Sequence, residues 1–482
     1  MKHRILIGIE THLQLLTETK LFCSCKNNFH ATPNTLTCPI CMGEPGALPV
    51  LNIEAYKLAI MAGKALNCDI QEDTRFDRKN YFYPDLPKGY QITQFYYPFA
   101  LNGGIDIETI EGGKKTIELE RIHIEEDSGK LTHQDELNES WVDYNRSGVG
   151  LIEIVSAPQI TSADEAHAYL SELRLMMRHI GASDCEMQEG SLRTDININV
   201  IIDTEKGEVA TPIVEIKNMN SFSQVKNCVA FETQRQLDNY NTKNIHIDNS
   251  PKETRGWDDV KQCTVPQRLK EGLADYRFFP EPDLPPFRIS QEFVQSLPLV
   301  ERPRECQQRL IFKYGLEQDK VAELISSGKD LVDAFEYLMS KKHDPSTSIN
   351  WLLNETMEVL NQQHCKITDL NITLDQIGQL IDLISKKTFA FRVARKIFTT
   401  MLADGLGAAE VIKRDDMGTV DDDAELKEHC EAVIEQFPKP VQDYKDGKKP
   451  ALNGLMGRVM QRTGGKANPG KVKQLLQEIL DF

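Results

Sequence analysis

Four ionisable side chains lie within sequence runs that are otherwise typical of β-strands: Glu10, His12, Glu125 and Glu153. Because successive residues of a strand alternate between its two faces, Glu10 and His12 project from the same face. The neighbours of Glu153 are strongly apolar, so this carboxylate needs a metal ion or an arginine to offset its desolvation. Carboxylate oxygens are the ligands that Mg2+ prefers. The four residues therefore form a candidate magnesium site; for each, the competing interpretation is a solvated face of an antiparallel sheet.

The segment from Phe76 to Thr93 combines cations with rigid aromatic side chains. It contains Arg78, Lys79, Lys88, Tyr81, Phe82, Tyr83 and Tyr90, with Pro84 and Pro87 between them. Cations and aromatic rings held by fixed turns suit the binding of a flat, negatively charged ligand, such as a nucleotide or the end of an RNA. The alternative interpretation is an ordinary surface loop pinned by its tyrosines.

A further strand pattern carries an arginine and a carboxylate. Arg193 and Asp195 are two residues apart, so they share the polar face of a strand over Arg193–Asp203. A guanidinium on this face is a candidate for charge-assisted contact with a phosphate or a carboxylate.

Four of the eleven cysteines are clustered in the sequence, whereas the other seven are scattered singly. Cys23 and Cys25 are followed, after a short loop, by Cys38 and Cys41. Two close pairs at this spacing are typical of a four-thiolate zinc site, in preference to free thiols or a disulfide. Such a site, over residues 23–41, would hold a loop in place and would take no part in chemistry.

The chain lacks several catalytic and targeting signatures. It has no phosphate-binding Gly-x-x-x-x-Gly-Lys-Ser/Thr loop, no Gly-x-Ser-x-Gly elbow, and no amidase-type serine cluster or glutaminase-like cysteine. No apolar run reaches membrane-spanning length, and a strand-like run begins at Arg4 without room for a leader, so we expect a cytoplasmic protein that does not bind membranes. The net charge of −17 argues against a uniformly basic surface. Basic residues nevertheless dominate beyond Val441, which makes that end the candidate contact for RNA phosphates; the competing interpretation is a solvated helix face.

The 482 residues predict an α+β protein in three parts. An antiparallel-sheet-based catalytic domain is expected over residues 1–290, because its strand patterns do not alternate regularly with helices. Helical spacing then predicts an all-helical domain over residues 291–405 and a second one over residues 406–482. The predicted strands cover Arg4–Leu13, Thr116–Glu126, Gly150–Ser156, Arg193–Asp203 and Ile213–Lys217. Predicted helices cover Ser162–Ile180, where Ser162 and Glu165 indicate a capping box, and Ser221–Tyr240.

Several long motifs resemble one family along essentially the whole chain. They are Ile9–Gln14, Cys38–Asn52, Asp77–Gln94, Glu125–Lys130, Asp143–Glu153, Gly190–Asn197, Glu215–Ser221, Tyr276–Leu284 and Asn453–Pro469. In this order they resemble the GatB family of tRNA-dependent amidotransferases. The last stretch is similar to the tail that this family shares with small YqeY-type proteins and that contacts tRNA. Neither an archaeal-type inserted domain nor a mitochondrial presequence fits the spacing.

The resemblance implies an ATP-dependent, glutamine-dependent carbon–nitrogen ligase of protein biosynthesis. In the family, ATP phosphorylates the side-chain carboxylate of Glu-tRNA(Gln), Asp-tRNA(Asn) or both, and ammonia then displaces the phosphate. The ammonia comes from a GatA-type glutaminase (amidase) subunit, and a small GatC-type subunit completes a heterotrimer. The missing nucleophile motifs agree with that division of labour.

The resemblance also implies roles for the candidate residues. Glu10, His12, Glu125 and Glu153 would hold magnesium or its waters. Phosphate groups of ATP or of the acyl phosphate would contact Arg78, Lys79, Lys88, Arg193 and Asp195, and Tyr81 would position the aminoacyl end. The implied cofactors are thus ATP, Mg2+ and a structural Zn2+. The competing hypothesis is a non-catalytic, zinc-stabilised adaptor that presents tRNA to a partner enzyme.

Overall fold

The computed structural model describes residues 2–134, 137–267, 276–298, 301–363, 365–386, 389, 391–415, 423–464, 467 and 469–481. The chain divides into two compact units, Met1–Glu305 and Cys306–Phe482. The first is rich in mostly antiparallel sheet and the second is helical, so the predicted α+β class is confirmed. Within the described residues, no helix has the length and apolar character needed to cross a membrane.

The strands lie in the first unit. They are β1 (His3–Gln14), β2 (Asp69–Ile70), β3 (Asp73–Thr74), β4 (Asp77–Asn80), β5 (Tyr90–Thr93), β6 (Ala100–Glu108), β7 (Lys114–Glu126), β8 (Lys130–Gln134), β9 (Glu139–Asp143), β10 (Gly150–Ser156), β11 (Leu192–Thr204), β12 (Gly207–Ala210), β13 (Val214–Lys217), β14 (Glu253–Asp258), β15 (Cys263–Pro266), β16 (Phe279–Pro280) and β17 (Phe287–Arg288). The five strands predicted from the sequence correspond to β1, β7, β10, β11 and β13, with ends within two residues of the predicted bounds.

One large sheet organises this unit. Its strand order is β15-β14-β13-β11-β1-β10-β7-β6-β2, and β12 pairs with β11 at the side. Neighbouring strands are antiparallel except for the parallel pair β13 and β14. The long strand β1 therefore lies between β10 and β11 and pairs with both. Because β7, β10 and β11 carry the other candidate residues, this order gathers them around β1.

The two faces of the sheet differ in polarity because apolar and polar residues alternate along the central strands. One face is lined by buried isoleucines, such as Ile9, Ile124, Ile154 and Ile196, and forms the core of the unit. The long helices α2 (Ile53–Ala65), α3 (Ala163–His179) and α4 (Phe222–Lys243) pack into this core. The ionisable residues are left on the opposite face.

Helix α3 begins as predicted, but its capping differs in one detail. The hydroxyl of Ser162 accepts a hydrogen bond from the N–H of Glu165. The Glu165 carboxylate, however, accepts from the N–H of Thr161 and pairs with Lys115 instead of returning to the N–H of Ser162. A lysine on the adjacent strand β7 competes for this carboxylate.

Three small sheets complete the first unit. β4 lies between β5 and β16, β3 pairs with β17, and β8 pairs with β9 in a hairpin. The pairing of β4 with β16 brings the segment around Arg78 against the proline-rich stretch that follows Tyr276. Two short helices also belong to this unit: α1 (Pro39–Met42) and α5 (Gln291–Ser296).

From residue 303 onwards the described residues are mainly helical. The helices are α6 (Pro303–Tyr314), α7 (Gln318–Ser327), α8 (Lys329–Ser340), α9 (Pro345–Trp351), α10 (Met357–Gln363), α11 (Leu374–Ser385), α12 (Phe391–Asp404), α13 (Ala408–Arg414), α14 (Asp423–Gln436), α15 (Pro438–Lys445), α16 (Pro450–Arg462) and α17 (Pro469–Leu480). The last four share a core of their own, which includes Leu426, Leu455 and Leu476. Lys466, one of the basic residues of the predicted RNA-binding end, lies outside the described residues.

Candidate active site

Strand pairing places a row of ionisable residues across the polar face of the large sheet. On β1, His12 lies opposite Glu153 of β10 and, on its other side, opposite Arg193 of β11. Glu153 in turn lies opposite His123 of β7. Side chains opposite one another in an antiparallel pair are within contact distance. Four strands thus contribute neighbouring charged groups to one patch.

We call His12, His123, Glu125 and Glu153 the histidine–acid cluster. Nε2 of His12 lies 3.2 Å from Oε2 of Glu153 and 3.5 Å from Oε1 of Glu125. Nε2 of His123 lies 3.3 Å from Oε2 of Glu153 and 3.6 Å from Oε2 of Glu125. Each carboxylate therefore contacts both imidazoles, and all four residues are largely buried.

Opposing effects set the charges of the cluster. Burial by itself would raise the pKa of Glu153, but His123 and His12 outweigh it and hold that pKa well below its usual range. Burial opposes a charge on His123, yet Glu153 and Glu125 raise its pKa to about 9. In the absence of a metal ion, the histidines are thus the counter-cations of two ionised carboxylates.

The cluster could hold a metal ion. One ligand atom from each of His12, Glu125 and Glu153 lies within 4.8 Å of the other two. The Oγ1 of Thr93 donates a hydrogen bond of 3.1 Å to Oε2 of Glu125, which fixes this carboxylate from β5. A divalent cation can replace the imidazole protons as the partner of the carboxylates, since a ligating imidazole must be neutral.

A second group, the three-acid cluster, consists of Glu10, Asp195 and Glu215. Their carboxylate oxygens also lie within 4.8 Å of one another. Lys217 forms ion pairs with Asp195 and with Glu215, the latter at 2.7 Å. Burial, followed by the neighbouring carboxylates, raises the pKa of Glu10. The four residues predicted to bind magnesium are thus divided: three lie in the histidine–acid cluster, and Glu10 lies in the three-acid cluster.

Arg193 contacts a carboxylate that the sequence did not single out. Its Nη2 lies 2.9 Å from Oδ1 of Asp127, which is buried and also accepts a 2.8 Å hydrogen bond from Gln14. Burial would raise the pKa of Asp127, but Arg193 and Arg146 lower it. Arg193 therefore has a carboxylate partner, one of the two kinds of partner that its position predicted.

Arg78 and Lys88, on the aromatic segment, are both engaged in ion pairs within the fold. The guanidinium of Arg78 makes hydrogen bonds of 2.7 and 2.8 Å to the buried carboxylate of Glu281, and it lies 4.0 Å from the ring centroid of Tyr90. Lys88 pairs with the buried Glu126. Both cations thereby secure β4 and β5 to neighbouring elements.

Lys79 differs from these two cations. Among the residues that the structure describes, no carboxylate lies within ion-pair distance of its ammonium. Its Nζ lies 5.1 Å from the ring centroid of Tyr276 and 5.9 Å from that of Tyr81. Burial, together with Glu125, raises the pKa of Tyr81, which keeps its phenol protonated. Lys79 is nevertheless near enough to the histidine–acid cluster to help lower the pKa of Glu125.

The four clustered cysteines come together as their spacing predicted. The four Sγ atoms of Cys23, Cys25, Cys38 and Cys41 all lie within 4.8 Å of one another. The sulfurs of Cys38 and Cys41 are 3.9 Å apart, close to the separation of about 3.8 Å expected for tetrahedral zinc with Zn–S bonds of about 2.3 Å. All four thiols are free, and the group could hold a metal ion.

The four-cysteine loop packs against the Lys88–Glu126 pair. Helix α1 of this loop is capped at its C-terminal end by Gly43, whose φ is +72°. A Cβ at Gly43 would lie only 2.4 Å from Cγ of Lys88. A Cβ at Gly148 would be 3.3 Å from Cβ of Cys41 and 3.9 Å from Oε2 of Glu126. The loop thus lies in close contact with Lys88 and near the carboxylate of Glu126.

Sequence reasoning left four members of these groups out of the predicted site: His123, Asp127, Glu215 and Lys217. His123 shares a strand face with Glu125, and Glu215 and Lys217 flank Ile216, so the two-residue period was the available signal. Asp127 follows the end of β7, where no period applies, and only its contact with Arg193 reveals it.

Comparison with known proteins shows the family of this chain. The model of the GatB/GatE catalytic domain matches residues 5–295, and that of the GatB domain matches residues 333–480. The chain belongs to the GatB family. It is 43% identical over 480 residues to the B subunit of the aspartyl/glutamyl-tRNA(Asn/Gln) amidotransferase of Rhodopirellula baltica, covering 98% of this chain and 96% of the relative. The corresponding protein of Caldanaerobacter subterraneus is 43% identical over 484 residues, with all of both chains covered.

The equivalent protein of Thermotoga maritima is 40% identical over 488 residues, again with both chains fully covered. The resemblance inferred from the motifs is therefore confirmed. Both clusters and the four-cysteine loop lie within the residues matched by the GatB/GatE catalytic domain.

Proposed function

We propose that this chain forms the amide of Gln-tRNA(Gln), Asn-tRNA(Asn) or both. A side-chain carboxylate oxygen of Glu-tRNA(Gln) or Asp-tRNA(Asn) attacks the γ-phosphorus of ATP, and ADP leaves. Ammonia then attacks the acyl carbon; phosphate leaves and the nitrogen loses a proton. The observation that carries this proposal is the histidine–acid cluster beside Lys79, which has no carboxylate partner among the described residues, in a chain of the GatB family.

Both steps handle phosphate charge, and this chain's residues can position it. Phosphoryl transfer depends on cations and positioning more than on covalent help from the protein. We assign phosphate contact first to Lys79, because Arg78 and Lys88 already have buried carboxylate partners. Phosphate contacts of Arg78, Lys88, Arg193 and Asp195 stay predictions. Tyr81, protonated and next to Lys79, is suited to donate a hydrogen bond to the aminoacyl end.

The donor set fits a divalent metal ion. His12, Glu125 and Glu153 would hold Mg2+ directly, and Glu10 of the neighbouring cluster would bind its waters. When bound, Mg2+ neutralises phosphate charge and orients the transferred group. The protein's own part is to favour ionised carboxylates before the metal ion binds, because His123 and His12 lower the pKa values of Glu153 and Glu125.

The remaining assignments follow the same family. The four-cysteine site would take Zn2+ in a structural role, since four thiolates leave no position open for substrate. We further propose a cytoplasmic heterotrimer with a GatA-type glutaminase and a small GatC-type subunit. The glutaminase subunit would supply the ammonia, since the sequence of this chain contains none of the nucleophile motifs sought.

Replacement of Glu10 by alanine tests the proposal in the reconstituted heterotrimer. We expect ATP-dependent amide formation on misacylated tRNA to be abolished and glutamine hydrolysis to be retained. Glu208→Ala, which removes an exposed carboxylate of β12, is the matched control and should keep both activities. A fully active Glu10→Ala complex would remove Glu10 from the site.

The adaptor hypothesis gives a different outcome. A complete complex that binds misacylated tRNA but shows no magnesium-dependent ATP turnover would support a non-catalytic adaptor. ATP turnover that is stimulated by misacylated tRNA and lost in Glu10→Ala supports the enzyme.

A further inference from the structure

Lys20 is a fully buried lysine without a carboxylate partner among the described residues. Its exposed fraction is 0%. Its ammonium donates hydrogen bonds to the sulfur of Cys41 at 3.6 Å and to the carbonyl oxygen of Tyr144 at 3.3 Å. A buried ammonium needs a compensating negative charge, because desolvation otherwise strongly disfavours it. A carbonyl oxygen does not provide one, so the sulfur of Cys41 is left to supply it as the thiolate that a metal ligand must be.

The position of Lys20 links the two halves of the four-cysteine site. Its backbone N–H donates to the carbonyl oxygen of Cys25 at 2.9 Å, within the loop closed by the pairing of Thr19 with Lys26. Its ammonium reaches Cys41, in the second pair. Among the described residues, Lys20 is the cation that is hydrogen-bonded to one of these four sulfurs.

We propose that Lys20 is the counter-cation of the metal-loaded four-cysteine site and increases its affinity for zinc. Four thiolates around Zn2+ carry a net charge of −2, and the ammonium of Lys20 offsets part of it through its contact with Cys41. The inference rests on the proposed binding of zinc. It assigns to Lys20 a positioning role outside the metal's own ligands, which the amidation reaction does not require.

The test is the zinc affinity of the full-length chain, measured by competition with a chromophoric chelator. Lys20→Met keeps the length of the side chain and removes its charge, and it should weaken zinc binding about 10- to 100-fold, as is typical for loss of a partner of a metal ligand. Lys26→Met removes an exposed charge next to Cys25 and should leave the affinity within about twofold. Cobalt absorption checks that four-thiolate ligation is retained in each variant.

Thermal unfolding of the zinc-free chain separates this role from a merely structural one. A counter-cation of four metal-bound thiolates acts mainly in the zinc-loaded chain, so Lys20→Met should lower the melting temperature of the zinc-free chain less than that of the zinc-loaded chain. Zinc should then raise the melting temperature of Lys20→Met less than that of wild type. A variant destabilised equally with and without zinc would overturn the proposal.

Three further outcomes would also overturn it. An unchanged zinc affinity of Lys20→Met refutes the role of Lys20 alone. Failure of both Lys20→Met and Lys20→Gln to fold in excess zinc would assign Lys20 to the fold itself. A wild-type chain that binds neither zinc nor cobalt would refute the zinc assignment, whereas the proposed amidation would be untouched.

Discussion

Replacing Arg78 by methionine is expected to destabilise the first compact unit by about 4 kcal/mol, because it leaves a buried carboxylate without its partner. Glu281 is fully buried and accepts two hydrogen bonds from the Arg78 guanidinium. The two residues are 203 positions apart in the sequence, so the pair joins β4 to the stretch that contains β16. Methionine keeps most of the aliphatic length of arginine, so the lost stability comes mainly from the missing charge and hydrogen bonds.

The magnitude comes from three contacts. Removing one partner of a buried ion pair costs about 3–5 kcal/mol, and the 18% exposure of the Arg78 side chain favours the lower end. The more exposed contact with Asp283 adds about 0–1 kcal/mol, and the stacking on Tyr90 adds about 0.5–1 kcal/mol. Adding Glu281→Gln to Arg78→Met removes the stranded charge and should recover about 1–2 kcal/mol.

Urea unfolding of the full chain measures the decrease in the free energy of unfolding, and faster hydrogen exchange in β4 and β16 would assign that decrease to the first unit. Arg288→Met is the matched control: its partner Glu72 is at the surface and its own side chain is 71% exposed, so no measurable change is expected. If Arg78→Met unfolds like wild type but its complex no longer turns over ATP, Arg78 acts mainly on a ligand and the structural reasoning is refuted.

Two changes at the four-cysteine loop give further predictions. Cys41→Ser should abolish the binding of about one zinc ion per chain, measured by mass spectrometry of metals, whereas the isolated Cys365→Ser should retain it; equal zinc content in both variants would contradict the site. Gly43→Ala combines backbone strain at a φ of +72° with a clash against Lys88 and should cost about 2 kcal/mol in urea unfolding. Gly46→Ala has similar strain at +87° without a neighbour, so it should cost about 1 kcal/mol; equal losses would refute the clash.

The sequence predicted the strands of the site well because each is a long run with an unambiguous period. The observed bounds of β10, Gly150–Ser156, equal the predicted ones. The period also placed Glu10 and His12 on one face, and the spacing of the four cysteines predicted their cluster. These features depend on residues close together in the chain, where local geometry fixes the side-chain direction.

Contacts between distant segments were not predictable in this way. Placing Glu153 and Arg193 on either side of His12 requires the register of β1 with both β10 and β11. The two-residue period determines on which face of a strand each side chain lies, but it does not determine which strands lie beside it. The contact of Arg193 with Asp127, which lies beyond the end of β7, needs the same long-range pairing.

By itself, the sequence determined the α+β class, the family, the clustering of the four cysteines and the polar face on which the candidate residues lie. Tertiary structure decided how that face is divided: Glu10 joins Asp195 and Glu215, whereas His12 joins Glu125 and Glu153. It also decided which cations are engaged, since Arg78 is paired with a carboxylate from a distant segment and Lys79, within the described part of the chain, is not. The physical reason is that charge pairing depends on distance in space, which the packed sheet sets and the local sequence does not.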